Sequence, residues 1–319
     1  MLSEDDINIV DTHRHLGGSI PVSWVWQTIQ DNNWTYMGES ESEVVKSMTM
    51  YNNKERDFHL FLDKFKILDQ IRWTEDLIDG SIRSVCEILK TENIDYCWMD
   101  FSINKYMEAM NWHKKEAIQF IYDSFNTHYP RRVGLILSLK YESTRASQRQ
   151  YAQLIEDPDI VDLLFGIDLV GDERYFDNTF YKPIFEQWSN AGKMTRAHTS
   201  ECLDWQNSYN AIKNLNVTNI AHGINIIHDK NAVDIAIDRG VTFDLGVTSN
   251  YMTGACKQNH PIAKMLDMGL KLTLGTDDPV QCNCTLEGEY KLAKKCGVST
   301  DQMLKMMNVA KANTLKYVV

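Results

Sequence analysis

The chain alternates between segments typical of β-strands and segments typical of amphipathic helices, and this alternation constrains its fold most. Each of eight strand-like segments is followed by a helix-like one, among them the helices predicted at 111–125 and 286–295. Strands that alternate with helices at this spacing form right-handed βαβ units and a parallel sheet. Eight such units favour a closed (β/α)8 TIM barrel over an open sheet. The predicted strands lie within 9–20 and at 96–102, 132–139, 161–170, 194–200, 218–224, 242–248 and 270–275.

The chain is predicted to form one barrel domain over residues 1–319. Its length would also allow two average domains, but no linker rich in proline, glycine or serine divides it. No GxGxxG motif follows the first strand, which disfavours a dinucleotide-binding fold. The segment between strands one and two is longer than one crossover requires. Extra helices are therefore predicted there, and they could cap the mouth of the barrel.

Charge and composition narrow the classes of partner. The chain has 33 Lys and Arg against 44 Asp and Glu, a formal net charge of -11. This balance disfavours nucleic acid polymers and anionic membranes and favours a small-molecule partner. No apolar run approaches the ~20 residues that span a bilayer. The acidic N-terminus, unlike a signal peptide, and seven cysteines without disulfide spacing predict a cytoplasmic protein.

Polar side chains that could bind a metal ion and transfer protons lie at the predicted carboxyl ends of the strands. In a TIM barrel these ends form the active site. His13 and His15 lie on one face of the first strand, because side chains alternate along a strand. The later strand ends contribute His198, Glu201, His222, Asp277 and Asp278.

Taken singly, each of these residues has an ordinary explanation, such as turn formation by the two aspartates before a proline. Taken together, they predict a site of three histidines and one carboxylate, with another histidine and carboxylate beside it. Nitrogen and oxygen donors without thiolates suit Zn²⁺, with Fe²⁺ or Mn²⁺ as alternatives. A divalent ion lowers the pKa of bound water to about 7. His222 could orient that water or remove its proton, and Glu201 could protonate the atom beside the one attacked. Such a set serves hydrolysis of an amide, an ester or an amidine-like ring carbon.

Six segments in register also resemble the adenosine deaminase family of the amidohydrolase superfamily. They span the chain from residue 11 to about residue 290. A seventh segment, Phe-Leu-Asp-Lys-Phe at 61–65, resembles the helix that gates the site of that family. The six are Asp-Thr-His-Arg-His-Leu at 11–16, Gly-Ile-Asp-Leu-Val-Gly-Asp-Glu at 166–173, His-Thr-Ser-Glu at 198–201, His-Gly at 222–223, Thr-Ser-Asn at 248–250 and Thr-Asp-Asp-Pro at 276–279.

The resemblance implies a barrel enzyme that binds one zinc ion. It further implies that Glu201 protonates N1 of a purine, that His222 acts on the zinc-bound water, and that Asp278 and the Gly171 backbone bind the purine ring. The implied reaction converts a 6-aminopurine nucleoside, such as adenosine or 2′-deoxyadenosine, to its 6-oxo product and ammonia. The implied zinc ligands are His13, His15, His198 and Asp277.

Three departures from the family pattern bear on the substrate. The family usually has an Asp that hydrogen-bonds the ribose 5′-hydroxyl where this chain has Gly17. The loss of that Asp removes a contact to a free nucleoside and a charge that would repel a 5′-phosphate. A relative modified at the 5′ position therefore becomes a candidate substrate, beside one modified at N6. Thr199 and Ser200 replace the family's Ala-Gly, and Asp100 stands where the family's second strand has Arg. The metal and proton-transfer residues are intact.

Two alternative functions remain open from the sequence. Another metal-dependent amidohydrolase, acting on a different heterocycle or amide, would use the same metal site. A barrel that binds nucleosides without turning them over is disfavoured, since a binding protein needs neither Glu201 nor His222.

Overall fold

Eight parallel strands form the centre of the molecule. The computed structural model describes residues 6–50 and 55–318, apart from the side chains of residues 148 and 152. Within these residues each strand pairs with the next in sequence order, from first to eighth. This confirms the predicted (β/α)8 TIM barrel. The strands are β1 (Val10–His15), β2 (Tyr96–Phe101), β3 (Val133–Lys140), β4 (Gly166–Val170), β5 (Met194–Thr199), β6 (Asn219–His222), β7 (Thr242–Leu245) and β8 (Lys271–Leu274).

Helices surround the strands, and among the described residues four of them lie between β1 and β2, as the long connection predicted. No helix in the described part of the chain is long and apolar enough to cross a membrane. The helices are α1 (Val22–Asn32), α2 (Glu41–Met48), α3 (Phe58–Asp63), α4 (Glu75–Thr91), α5 (Asn104–Met110), α6 (Lys114–His128), α7 (Arg145–Gln153), α8 (Pro158–Leu163), α9 (Asn178–Asn190), α10 (Gln206–Leu215), α11 (Lys230–Asp238), α12 (Val247–Met252), α13 (Ile262–Asp267), α14 (Pro279–Cys282), α15 (Leu286–Lys295) and α16 (Thr300–Tyr317).

The ends of several elements differ from the sequence prediction for local reasons. β4 was predicted from residue 161, but it begins at Gly166, because the Asp157 side chain caps α8 and Pro158 occupies its first turn. The helix predicted at 111–125 begins only at Lys114, as α6, since Asn111 adopts a left-handed conformation at φ 54° and ends α5. β7 ends at Leu245, and residues 247 and 248, which were predicted as the end of this strand, belong to α12 instead.

The barrel closes between β1 and the segment that follows β8. Arg14 and Asp277 form a parallel bridge there. The Thr12 hydroxyl reinforces the closure by donating to the Thr273 hydroxyl oxygen at 2.8 Å. Gly275 is needed at this junction, because a Cβ atom there would lie 2.5 Å from the backbone of His13. The closure therefore brings the residues after β8 against the two histidines of β1.

One buried guanidinium group sits inside the barrel among three carboxylates. Arg196 on β5 donates to Asp168 at 2.6 Å and to Asp244 at 3.2 Å, and it also pairs with Asp100. All four side chains are almost fully buried. The unusual Asp100 noted in the sequence is thus matched by a cation on another strand. The assignment of residues 1–319 to a single domain stays a prediction.

Candidate metal and catalytic site

The two histidines of β1 point to the same side, as their spacing predicted. The pairing of β1 with β2 shifts register between Asp11 and Arg14, so the strand bulges at the first histidine. The Nε2 atoms of His13 and His15 lie 3.2 Å apart. Asp11 anchors this stretch, because its carboxylate accepts bonds from the backbone and hydroxyl of Thr276 at 3.1 and 2.7 Å.

Asp277 is held against this histidine pair by its own backbone. Its amide donates to the His13 carbonyl at 2.7 Å, and its carbonyl accepts from the His15 amide at 2.9 Å. Its φ of 60° is unusual for a residue other than glycine or asparagine and marks a strained backbone position. The Oδ1 atom lies 3.4 Å from His13 Nε2 and 3.2 Å from His15 Nε2.

His198 at the end of β5 supplies the third nitrogen. Its Nε2 lies 3.1 Å from that of His13 and 3.3 Å from that of His15. Its Nδ1 lies 3.2 Å from Asp168 Oδ1. A proton on Nδ1 satisfies this bond, which leaves the Nε2 lone pair facing the other donors. The Tyr141 hydroxyl fixes the backbone by donating to the His198 carbonyl at 2.7 Å.

The four donor atoms fit a divalent cation. The six edges of a tetrahedron with metal–ligand bonds of about 2.0–2.1 Å measure about 3.3–3.4 Å. The distances reported above for these atoms run from 3.1 to 3.4 Å. Three imidazole nitrogens this close cannot all be satisfied by hydrogen bonds to one another, so a cation explains the cluster. Among the described residues this group forms the candidate metal site: His13, His15, His198 and Asp277.

Glu201 lies beside these donors as a buried acid. The Thr253 hydroxyl donates to its Oε1 at 2.9 Å, and its Oε2 lies 3.7 Å from His222 Nε2. Burial, together with the negative charge of Asp277, raises the pKa of Glu201 to about 8. A carboxyl group with such a pKa is protonated at neutral pH and can act as a general acid.

The loop that carries Glu201 is tied down by Glu173. The buried Glu173 carboxylate accepts bonds from the amide of Ser200 and from those of Cys202 and Leu203, the last two at 2.8 Å. Ser200 has a positive φ of 50°. The three bonds keep this tight turn closed after β5, and they set the position of Glu201 relative to His198.

His222 occupies the last position of β6 with a φ of 62°. Its Nε2 lies 3.7 Å from Asp277 Oδ2, and its Nδ1 lies 3.0 Å from Asn250 Nδ2. Burial lowers the pKa of His222 below its ordinary value. The ring is thus a neutral imidazole beside the candidate metal site rather than one of its four members.

Three further residues were predicted to bind the substrate: Asp278, Gly171 and Gly17. Asp278 Oδ1 is buried and has no hydrogen-bond partner among the described residues. Burial and the charge of Asp277 raise the pKa of Asp278 well above its ordinary value. Gly171 has a φ of 96°, and a Cβ atom there would lie 2.5 Å from Glu142. At Gly17 an added Cβ atom would meet only Phe65 and Leu68, at 3.7 Å or more.

A cavity of about 160 Å³ lies beneath α3, and its lining includes Gly171, His198 and Glu201 but neither Asp278 nor Gly17. His59 Nε2, at the start of α3, lies 3.0 Å from Arg174 Nη2, and this contact links the helix to the segment after β4. That the helices between β1 and β2 cap the mouth of the barrel stays a prediction. A larger cavity of about 610 Å³, next to Tyr96 and Phe165, contains none of the predicted site residues. The lining of the smaller one includes Asp57, Phe58, His59, Gly171, His198 and Glu201.

The structure thus brings together the metal, acid and histidine residues that the sequence singled out. Sequence reasoning missed Thr253, Tyr141, Arg196 and His260, which hold these residues in place. Arg196 left a signal, since it lies two positions before His198 and therefore faces the same side of β5. Thr253 and His260 lie in segments without a periodic pattern, and no local signal connects them to the site.

Comparisons with known proteins match nearly the whole chain. The profile of the family described as "Adenosine deaminase" matches residues 9–316. A relative named adenosine deaminase, from Shewanella denitrificans, is 25% identical over 311 residues, which cover 95% of this chain and 92% of the relative.

Two solved structures share the fold. Adenine deaminase from Arthrobacter aurescens aligns with a TM-score of 0.83 and 16% identity, over 96% of this chain and 93% of its own. N6-mAMP deaminase from Arabidopsis aligns with a TM-score of 0.82 and 18% identity, over 97% of this chain and 94% of its own.

Proposed function

The chain belongs to the adenosine deaminase family, and on that premise we propose that it is a zinc-dependent hydrolase that deaminates a 6-aminopurine. The substrate would be adenosine, 2′-deoxyadenosine or a relative modified at the 5′ position or at N6. The products would be the 6-oxopurine and ammonia. Fe²⁺ or Mn²⁺ could replace Zn²⁺, because the donors are three nitrogens and one oxygen.

One observation carries the proposal. Four metal-binding atoms converge within 4.8 Å of one another, next to a carboxyl group whose pKa is about 8. A protein that only bound nucleosides would need neither the cluster nor a protonated Glu201. Hydrolysis needs both, since water must be activated on one side and the substrate protonated on the other.

The reaction assigns one task to each group. A bound divalent ion would supply Lewis acidity, which would lower the pKa of a water molecule to about 7. Glu201 would donate its proton to N1 of the purine, which makes C6 electrophilic. The water oxygen then bonds to C6, the C6–N6 bond breaks, and one proton of the water leaves with the NH₂ group as ammonia while the other restores the proton that Glu201 gave up. His222 would orient the attacking water, because its Nε2 faces Asp277.

The purine would be recognised from the side of Asp278 and Gly171. Asp278 has an unsatisfied buried oxygen and a raised pKa, so in its neutral form it can donate a hydrogen bond to a ring nitrogen. Gly171 lines the cavity beneath α3, and its backbone would bind the ring from there. These contacts would select a flat heterocycle with nitrogen acceptors.

A substrate panel tests the proposal directly. Metal-loaded protein is incubated with adenine, adenosine, 2′-deoxyadenosine, their 5′-monophosphates and the N6-methyl forms, and the release of ammonia or methylamine is measured. The metal content of the same sample is determined. Glu201→Gln keeps the shape but removes the acid, and we expect a loss of activity on the order of 10²-fold or more. The proposal fails if metal-loaded protein turns over none of these compounds.

Gly17 is proposed to set the preference at the 5′ end of the substrate. The position has room for a side chain, since an added Cβ atom makes only ordinary contacts with Phe65 and Leu68. Gly17→Asp should shift the ratio of kcat/KM values from 5′-monophosphates toward free nucleosides. Gly17→Asn has the same size without the charge and serves as the matched control. An unchanged substrate profile in the Asp variant would argue against this role.

Variants of Asp278 distinguish a purine deaminase from another amidohydrolase. Asp278→Asn keeps a donor in its NH₂ group and serves as the matched control, whereas Asp278→Ala removes the donor altogether. In Asp278→Ala we expect a rise in KM and a fall in kcat for 6-aminopurines, with unchanged metal content. If Asp278→Ala retained full activity, a substrate other than a purine would become the better candidate.

A further inference from the structure

A chain of three hydrogen bonds runs from the start of α13 to His222. The amide of Ile262 donates to His260 Nδ1 at 3.2 Å. His260 Nε2 lies 3.0 Å from Asn250 Oδ1, and Asn250 Nδ2 lies 3.0 Å from His222 Nδ1. His260, Asn250 and His222 are all buried. The chain therefore connects a backbone amide to a ring at the candidate active site without exposure to water.

The backbone amide decides which nitrogen of His260 carries the proton. An N–H group can only donate, so His260 Nδ1 must accept and cannot carry a proton. Burial lowers the pKa of His260 to about 3, so the ring is neutral at physiological pH. A neutral imidazole has one proton, which must then lie on Nε2. His260 consequently donates to Asn250.

The same logic passes through the amide of Asn250. The side-chain oxygen of Asn250 must face His260, because it receives the proton of Nε2. The NH₂ group of Asn250 then faces His222 and donates to Nδ1 of that ring. A rotated amide would direct the NH₂ group at the Nε2 proton of His260, so only one orientation satisfies both histidines.

We propose that His260 and Asn250 are positioning residues that hold neutral His222 in the tautomer with its proton on Nε2. This inference rests on the proposed function for its catalytic meaning, but the tautomer itself follows from the hydrogen bonds. His222 Nε2 faces Asp277 Oδ2 and Glu201 Oε2, both at 3.7 Å. In this tautomer His222 donates a hydrogen bond toward the reacting groups and cannot accept a proton there.

The tautomer gives His222 one of the two tasks that the sequence left open. A ring with a proton on Nε2 orients the attacking water by donating to its oxygen. The same N–H group stabilises the negative charge that develops on that oxygen as the bond to C6 forms. The proton of the water must then be taken up by a group other than the neutral His222 ring.

Nitrogen NMR of the zinc-loaded protein, labelled with ¹⁵N-histidine, tests the proposal. Long-range ¹H–¹⁵N correlations distinguish a protonated from an unprotonated ring nitrogen. The signals of His222 and His260 are assigned from the variants His222→Gln and His260→Gln. We expect an unprotonated Nδ1 and a protonated Nε2 for both rings. A proton on Nδ1 of His222 would overturn the proposal.

Variants of Asn250 and His260 test the positioning role. Asn250→Asp presents only acceptors, so His222 should move its proton to Nδ1, and kcat should fall on the order of 10²-fold with a smaller change in KM. His260→Gln can still donate to Asn250 and should restore most of the activity lost in His260→Ala. His228→Gln removes an exposed histidine and is the matched control.

The two readouts separate this proposal from the proposed function. If no purine is turned over but His222 keeps its proton on Nε2 and loses it in Asn250→Asp, the positioning role stands and the assigned reaction fails. If purines are deaminated but the His222 signals are the same in Asn250→Asp and in the wild type, the positioning role is wrong. Should Asn250→Asp fold poorly, His260→Ala and His260→Gln decide the question by the same spectra.

Discussion

Replacing one buried carboxylate should change how the stability of the protein depends on pH. Glu289 on α15 is fully buried, and its Oε2 and Oε1 accept bonds from the Thr248 amide at 3.1 and 3.3 Å. These bonds satisfy the N-terminal end of α12, the helix that carries Asn250. Burial nevertheless raises the pKa of Glu289 from 4.5 to about 7.

The sign of the effect follows from proton binding. Between pH 4.5 and pH 7 the folded state holds a proton on Glu289 that the unfolded state has lost. Stability contributed by this group is therefore full at low pH and declines as the pH rises through this window. With these two pKa values, the wild type should lose about 2.5 kcal/mol at this position between pH 5 and pH 8.

The variant Glu289→Gln removes this dependence. Its amide oxygen still accepts from Thr248, but the side chain cannot ionise. Urea unfolding is followed by tryptophan fluorescence at several pH values, and the free energy of unfolding of the variant is compared with that of the wild type. The difference should rise in favour of the variant by about 2.5 kcal/mol from pH 5 to pH 8.

The matched control is Glu287→Gln, two residues earlier on the same helix. Glu287 is exposed and pairs only with Lys291. The difference between this variant and the wild type should stay constant with pH. If the Glu289→Gln difference also stayed constant within about 0.5 kcal/mol, the argument from burial would be refuted.

Three further predictions concern the barrel interior, the purine side and the metal. Arg196→Met leaves three carboxylates buried without their cation and should lower the free energy of unfolding by about 3–5 kcal/mol in urea titrations; a loss below about 1 kcal/mol would contradict the role of the ion cluster. Gly18→Ala places a Cβ atom 1.8 Å from Asp278 Oδ1, so turnover should be lost with the metal content unchanged, whereas Gly288→Ala, at a half-buried position of α15, should remain active; full activity of Gly18→Ala would show that Asp278 need not approach so closely. Removal of metal by a chelator should lower Tm by several degrees, and added zinc should restore it, because the ion binds only the assembled site; an unchanged Tm would exclude a metal site that contributes to stability.

Local sequence patterns predicted much of the fold. Alternating strands and helices predicted the barrel, and α15 was predicted with the bounds Leu286–Lys295 that it has in the structure. The pattern failed at β4, because the apolar run before Gly166 suits a buried helix as well as a strand. The Asp157 side chain caps the start of α8, which decides in favour of the helix.

Local sequence patterns also predicted part of the candidate site. His13 and His15 share a face through the two-residue period of a strand, and the carboxyl ends of parallel strands converge in any TIM barrel. Residue types and strand ends were therefore enough to select the donor set and the acid beside it. The roles of the individual residues in metal binding and catalysis stay predictions.

The sequence by itself determined the architecture and the chemistry of the donors, because both depend on local periodicity and on residue type. Only the tertiary structure decided which groups control the side chains beside those donors. The proton on His222 is set by Asn250 and His260, which are 28 and 38 residues further along the chain and meet it only after β6 and β7 pair. Such a hydrogen bond depends on the relative position of distant backbone segments, and no local pattern in the sequence encodes that position.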